Sequence, residues 1–288
     1  MVKLAALGMD DVPALDPLTY PGRMITEPSL LCDGELLAMT PTLERMGRWR
    51  VREDASGSRP LDEVLDSLGR PPAGRRHPVI AVGSNAAPGQ VHHKLARRGR
   101  SAVVPMTPLR VSGIGVGVAG HIGIPGYVAN SPFADPDAVV EAVLICLDDR
   151  QLQAVDDTEL PRHRRVLLPG EEFPMVLSSG ERLEAAYLYV NTNGVLADVD
   201  GAPLTPAPQA ERLAGLLRRS PRLRALFDTP EGWVAKAAAH PELRAEGKRI
   251  FNESGWVLQQ ESLLRYAADS DDGAVVYDDA SSLVSADE

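Results

Sequence analysis

The stretch PVIAVGSNAAPGQV (Pro78–Val91) decides how the rest of the chain is read. Residues 78–82 form a continuous apolar run suited to a buried strand, and Gly83-Ser84-Asn85 is a turn. Pro88 suits the first position of a helix that runs to Arg98 and that Gly99 ends. A strand that runs through a turn into a helix leaves backbone N–H groups without intrahelical partners, and the helix dipole favours an anion beside them. Two readings follow. Ser84 or Asn85 caps the helix, or the turn receives a carboxylate or carbonyl oxygen of a ligand. A nucleophilic Ser84 is disfavoured, because Ala86 interrupts the glycine-flanked elbow that such a serine needs.

Downstream, short apolar runs alternate with turns: LRVSGIGVGV (109–118), VVEAVLICL (139–147), RVLL (165–168), FPMVL (173–177) and LEAAYLYV (183–190), with SSGER as a hairpin turn between the last two. Helices interrupt them only at Pro88–Arg98 and Asp149–Glu159. That order excludes strict strand–helix alternation and predicts an α+β fold with a closed or strongly curved, largely antiparallel sheet flanked by helices. Residues 1–70, rich in Pro and turn signals, read as an N-terminal extension wrapping the core, with one helix marked by Leu61, Val64, Leu65 and Leu68. Residues 71–77 read as a linker. The sheet unit spans 78–207, and a helical, basic appendage spans 208–267, with starts at Ser220-Pro221, Thr229-Pro230 and Pro241. Residues 268–288 carry seven carboxylates and no Lys or Arg and read as an acidic disordered tail.

The helix Asp149–Glu159 holds the second candidate. Asp148 is placed to cap it, and Leu152, Val155 and Glu159 share a face, with Asp156 and Asp157 read as lying off that stripe. A carboxylate turned towards a core must find partners or stay protonated. Desolvation therefore predicts a raised pKa for Glu159, poised for proton exchange near neutrality, unless Arg162, Arg164 or Arg165 reaches it. With a raised pKa, Glu159→Gln leaves stability nearly intact.

Other chemistries are excluded on residue pattern. The spacing Gly115-Val-Gly117-Val-Ala-Gly120 matches a dinucleotide fingerprint but lies in a strand-like run followed by HIGIPGY, which cannot open the required helix. His92 and His93 are adjacent, and His77, His121, His163 and His240 have no ligand-like spacing, so no metal site is expected. Cys32 and Cys146 read as small core hydrophobes. In 288 residues, 30 Lys and Arg face 40 Asp and Glu, a formal charge of -10 that disfavours nucleic acid and anionic membranes. No apolar run reaches the roughly 20 residues of a membrane span, and the N-terminal stretch has too short an apolar core for a signal peptide; a cytoplasmic protein is expected.

The two candidates together resemble the γ-glutamylcyclotransferase superfamily. The matching stretches are VIAVGSNAAPGQV, VEAVLICLDDRQLQAVDDTE and RRVLL, within residues 78–190. The resemblance implies a small β-barrel with flanking helices. It also implies a loop, Val82, Gly83, Ser84 and Asn85, that cradles a glutamyl group, and Glu159 as the acid/base. The implied reaction needs no cofactor. The α-amine of a γ-glutamyl amide attacks its own γ-carbonyl, giving 5-oxoproline and releasing an amine or amino acid. The sequence departs from the family pattern at Val82 and His163, where that family commonly has Tyr, and at Leu160, where it has Gly; His163 is expected to line the substrate site. Other amide or ester cleavage or acyl transfer in the same pocket, and a non-catalytic binding module, remain open as alternatives.

Overall fold

The computed structural model describes residues 1–53, 57–267 and 274–282. In chain order its strands and helices begin with β1 (Val2–Lys3), β2 (Ser29–Cys32), β3 (Glu35–Thr40), β4 (Arg50–Arg52), β5 (Ser58–Pro60), α1 (Leu61–Ser67), β6 (His77–Ala81) and α2 (Pro88–Ala96). They continue with β7 (Val103–Val118), β8 (Asn130–Leu147), α3 (Asp149–Glu159), β9 (His163–Pro169), β10 (Met175–Leu177), β11 (Arg182–Leu183), β12 (Ala185–Asn191) and β13 (Val195–Leu196). The helices α4 (Gln209–Arg219), α5 (Pro221–Phe227), α6 (Pro230–Ala239) and α7 (Pro241–Glu253) follow. The last elements are β14 (Val257–Leu258), α8 (Glu261–Leu264), α9 (Tyr277–Ala280) and β15 (Ser281–Ser282).

The strands build a large, mostly antiparallel sheet in the order β5-β4-β3-β2-β7-β8-β6-β12-β9. Its spine is the long β7–β8 hairpin, bent by a register shift between Ser112 and Ile114. Gly113 takes φ +84° at that shift, a left-handed conformation that glycine adopts without the steric penalty of a side chain. The β6–β12 pair is parallel, Val79 opposite Tyr187. The α+β class is as expected, but the sheet is not a closed barrel. One edge of β7 is already shared between β2, along Val103–Met106, and β10, along Leu109–Val111, and the path ends open at β5 and β9.

Alternation along the strands sends side chains to two faces. Ile80, Leu144 and Leu188 enter a core closed by Trp49, α1 and Tyr277. Val79, Ala81, Val143, Ile145 and Tyr187 enter another closed by α2 and α3. A third core, built around Phe227, Trp233 and Phe251, joins Val118 at the hairpin end to α4–α7.

Three expected boundaries need correction. Residues 1–70 do not merely wrap the sheet, because 29–60 supply β2–β5 to it. The expected linker 71–77 is tied into the body: Arg76 is fully buried, donating to the carbonyls of Pro71, Val103 and Cys146, and His77 opens β6. Of the expected disordered tail, 268–273 and 283–288 lie outside the described residues. Residues 274–282 are docked, with Tyr277 buried, its N–H donating to the Arg76 carbonyl at 2.7 Å, and β15 paired with β11.

Candidate active site

The turn after β6 and the end of α3 face one cavity of about 610 Å³. Val82, Gly83, Ser84, Asn85, Glu159 and His163 all line it, although His163 stands more than 70 residues from the turn. The start of α3 is fixed by a capping box: Asp148 accepts from the Gln151 N–H at 2.9 Å, and the Gln151 side chain accepts from the Asp148 N–H at 3.0 Å. That cap orients the helix so that its last residue, Glu159, reaches the cavity wall.

Glu159 is embedded in polar partners. Its Oε1 accepts from Lys94 Nζ at 2.6 Å and Asn85 Nδ2 at 3.0 Å, and Lys94 Nζ also donates to Asn85 Oδ1 at 2.6 Å. Its Oε2 lies 3.2 Å from His163 Nδ1. The side chains of Glu159 and Lys94 are only 15% and 10% exposed. Burial alone raises the carboxyl pKa, as the sequence predicts. Lys94, His163 and Asn85 together outweigh it and hold Glu159 down to about 2. The expected raised pKa is therefore corrected: the residue that reaches the carboxylate is Lys94 of α2, not one of the three downstream arginines considered. Arg165 instead pairs with Asp156, which also accepts from Tyr189 Oη at 2.6 Å. Asp156 is buried, contrary to the stripe drawn through Leu152, Val155 and Glu159, because position 156 stands one turn after Leu152 and shares its face.

Of the two readings of the turn, neither a capped helix nor an open helix start at Pro88 describes what is found. A one-turn 3-10 segment, Ser84–Ala86, intervenes. The first turn of α2 packs on the N-terminal segment, where a Cβ on Gly89 would meet the Asp11 and Met9 carbonyl oxygens at 2.6 and 2.7 Å. Neither Ser84 nor Asn85 caps α2; Ala87 stands at the cap position without a side-chain bond.

Four further residues, Lys94, Tyr20, Tyr127 and His121, shape the cavity without having been read from the sequence as site residues. Lys94 carried a legible signal, since it falls with Gln90, Val91 and Leu95 on the buried face of α2. Tyr20 did not. It comes from the Pro-rich N-terminal segment and accepts from the Asn130 N–H at 2.8 Å, with the Ser84 N–H also on its oxygen. Its ring lies 4.6 Å from that of Tyr127, and Arg212 of α4 stacks over it at 5.7 Å while donating to Asn130 Oδ1 at 2.7 Å. Burial pushes the Tyr20 phenol up to about 12 and raises that of Tyr127 further, so both remain protonated donors near neutrality. The fourth, His121, is buried against Asn191.

Among the described residues no cluster of His, Cys, Asp and Glu is arranged to hold a metal ion, and no helix is long and apolar enough to cross a membrane. The arrangement is a cavity whose wall carries a carboxylate, an ammonium, an amide, phenols and imidazoles.

No family model and no curated protein matches the chain. Among solved structures it is similar to two solution structures of Arabidopsis thaliana proteins. One is 16% identical, covering 53% of this chain and 89% of the other, with a TM-score of 0.34. The second is 18% identical, covering 52% and 82%, with a TM-score of 0.33. It is also similar to a gamma-glutamyl cyclotransferase, 13% identical over 70% of this chain and 94% of the other, with a TM-score of 0.34.

Proposed function

We propose that the cavity binds a γ-glutamyl amide and cyclises it, releasing 5-oxoproline and an amine or amino acid. The observation that carries this reading is the half-buried, ionised Glu159 in the cavity wall, with Oε1 bonded to Lys94 and Asn85 and Oε2 3.2 Å from the His163 imidazole. An incoming α-ammonium pairs with Oε2 and gives up a proton to it. The neutral amine then attacks the γ-carbonyl carbon and forms the ring C–N bond. As the bond from that carbon to the former amide nitrogen breaks, the proton held by Glu159 and the second proton of the attacking nitrogen pass to the leaving amine, which departs as an ammonium, and Glu159 is again a carboxylate. The wall made by residues 82–85 and the two tyrosines folds the substrate so that amine and carbonyl meet, and such positioning contributes a large part of the rate for an intramolecular attack. Residues 1–70 and 209–266 leave a cavity that reaches Glu159, which favours a reaction vessel over a sealed scaffold.

The test is incubation with a panel of γ-glutamyl amides, followed by product mass. Formation of 5-oxoproline by the native chain and its loss in Glu159→Gln is the expected result. Free glutamate, or a transfer product, points instead to water or an external amine as acceptor. A second reading is specifically favoured by the low pKa of Glu159, which suits a permanent anchor for a ligand's cation: a binding module without turnover. It predicts that a γ-glutamyl amide binds and is recovered unchanged.

A further inference from the structure

His121 follows β7 in a segment held closely to the β12–β13 turn. The Gly120 N–H donates to the Gly194 carbonyl at 2.9 Å, and a side chain on Gly120 would overlap the Asn193 carbonyl. This contact sets the His121 ring against Asn191, the last residue of β12, which is fully buried.

The network fixes the ring's protonation. Asn191 Oδ1 accepts from both the backbone N–H and the side-chain Nδ2 of Asn193, at 2.8 and 3.0 Å, so the amide oxygen points there and the Asn191 Nδ2 points to His121. The Nδ2 to Nδ1 separation is 2.9 Å. An amide nitrogen only donates, so Nδ1 of His121 must accept, and the ring proton sits on Nε2. Among the described residues no protein group accepts from Nε2, and the ring, 6% exposed, lines the cavity. The groups around it oppose a charge. Burial comes first, then His163, whose ring centroid is 6.0 Å away, then Arg162 and Lys248; only Glu159 acts in the other direction. Together they lower the imidazole pKa to about 3, so the ring is neutral at any working pH.

We infer that His121 is an uncharged donor that gives its Nε2–H to an oxygen of the bound ligand. This rests on the reading above for the identity of that oxygen: it is the γ-carbonyl oxygen, which gathers negative charge as the α-amine adds to the carbon. No proton passes to or from His121. A neutral donor fits this wall better than a cationic one, because an imidazolium beside Glu159 would compete with the substrate ammonium for the same carboxylate.

The tautomer is read directly from the imidazole 15N resonances of the free protein. Protonated Nε2 and bare Nδ1 are expected, unchanged from pH 5 to pH 9; a proton on Nδ1, or titration in that range, overturns the inference. Addition of 5-oxoproline as the probe should shift the Nε2–H resonance, and no shift up to the solubility of the probe also overturns it. In turnover, His121→Leu should lower kcat about a hundredfold, as removal of one preorganised donor does, with KM changed less than about threefold. His121→Gln, which restores an N–H donor, should recover most of that loss without altering the pH profile. Equal activity of the leucine variant and the native chain overturns the inference while leaving cyclisation standing. Conversely, a shifted Nε2–H with no 5-oxoproline formed from any γ-glutamyl amide retires cyclisation and supports the donor.

Discussion

Glu159 is half-buried and yet ionised, and its charge has consequences for stability and for rate. Its folded pKa, about 2, lies below the ordinary carboxylate value. The ion pair with Lys94 therefore stabilises the fold fully above about pH 4.5, and that stabilisation fades as pH falls through the folded value. Glu159→Gln leaves the Lys94 ammonium buried without its counter-charge and should cost about 3 kcal/mol near neutrality. Chemical denaturation of both proteins at pH 7 and at pH 3 checks it: the gap should be wide at the first and narrower at the second. An equal gap at both pH values would mean the ion pair is not its source. For turnover, the same ionisation predicts no limb from Glu159 between pH 5 and 9. Because the substrate pairs with Glu159 as its α-ammonium, kcat/KM should instead be level below about 8 and fall above it as the free substrate amine loses its proton. The sequence made Glu159 legible as a carboxylate on an apolar face, but the sign of its pKa shift depended on a cation from another helix. A lysine between Val91 and Leu95 on the α2 stripe was the available clue.

At the scale of elements, the turn after β6 works through a close approach that no local pattern announces. A Cβ on Gly83 would stand 2.5 Å from the Tyr20 hydroxyl oxygen. Gly83→Ala should therefore push the phenol away from the Asn130 N–H and cost about 1–3 kcal/mol. Tyr20→Phe removes the crowding oxygen and also the acceptor of that N–H. The double variant should thus lose less than the sum of the two single losses, by about 0.5 kcal/mol or more, and additive losses in thermal unfolding would show that the two residues do not meet. Most strands and helices from 77 to 191 are legible because each carries its own period and punctuation, but β7 begins at Val103, ahead of the run at 109, and the first half of β8, 130–138, shows too mixed a pattern to read as strand. The β2–β3 hairpin carries an equally plain signal within a segment otherwise read as a wrapping extension. In SLLCDGELLAMT an Asp-Gly pair separates two apolar runs, and Asp33 and Gly34 both take positive φ, +43° and +96°, as a two-residue hairpin turn requires. The prolines around it drew the reading towards loop.

Over the whole molecule, segments distant in sequence complete what residues 78–190 begin. The N-terminal segment supplies Tyr20 to the cavity, α4 supplies Arg212 behind it, and residues 274–282 place Tyr277 in the Trp49 core and Val275 against the α2–α3 core. The closing segment is held at several points. His77 Nδ1 lies 2.8 Å from the Val275 carbonyl oxygen, the Val275 N–H donates to Tyr187 Oη at 2.8 Å, and Arg45 reaches Asp278 at 3.2 Å. Composition could not reveal this, because the acidic residues that marked the region as a solvated tail flank a single aromatic anchor, and one Tyr gives no period to detect. Tyr277, 1% exposed, packs in the same core as Trp49, Leu61 and Ile80. Tyr277→Ala should therefore cost about 3–5 kcal/mol, the range for deleting a large buried aromatic ring. Substitution of Asp279, an exposed neighbour two positions along, by Asn should change stability by less than about 0.5 kcal/mol. Because Tyr277 does not line the cavity, Tyr277→Ala should leave KM near the native value at temperatures where the variant remains folded. Equal unfolding midpoints for the Tyr277 and Asp279 variants would show that the segment only rests on the surface. A loss confined to the tyrosine would make it part of the core that holds β6, and with it the turn that carries the site, in place.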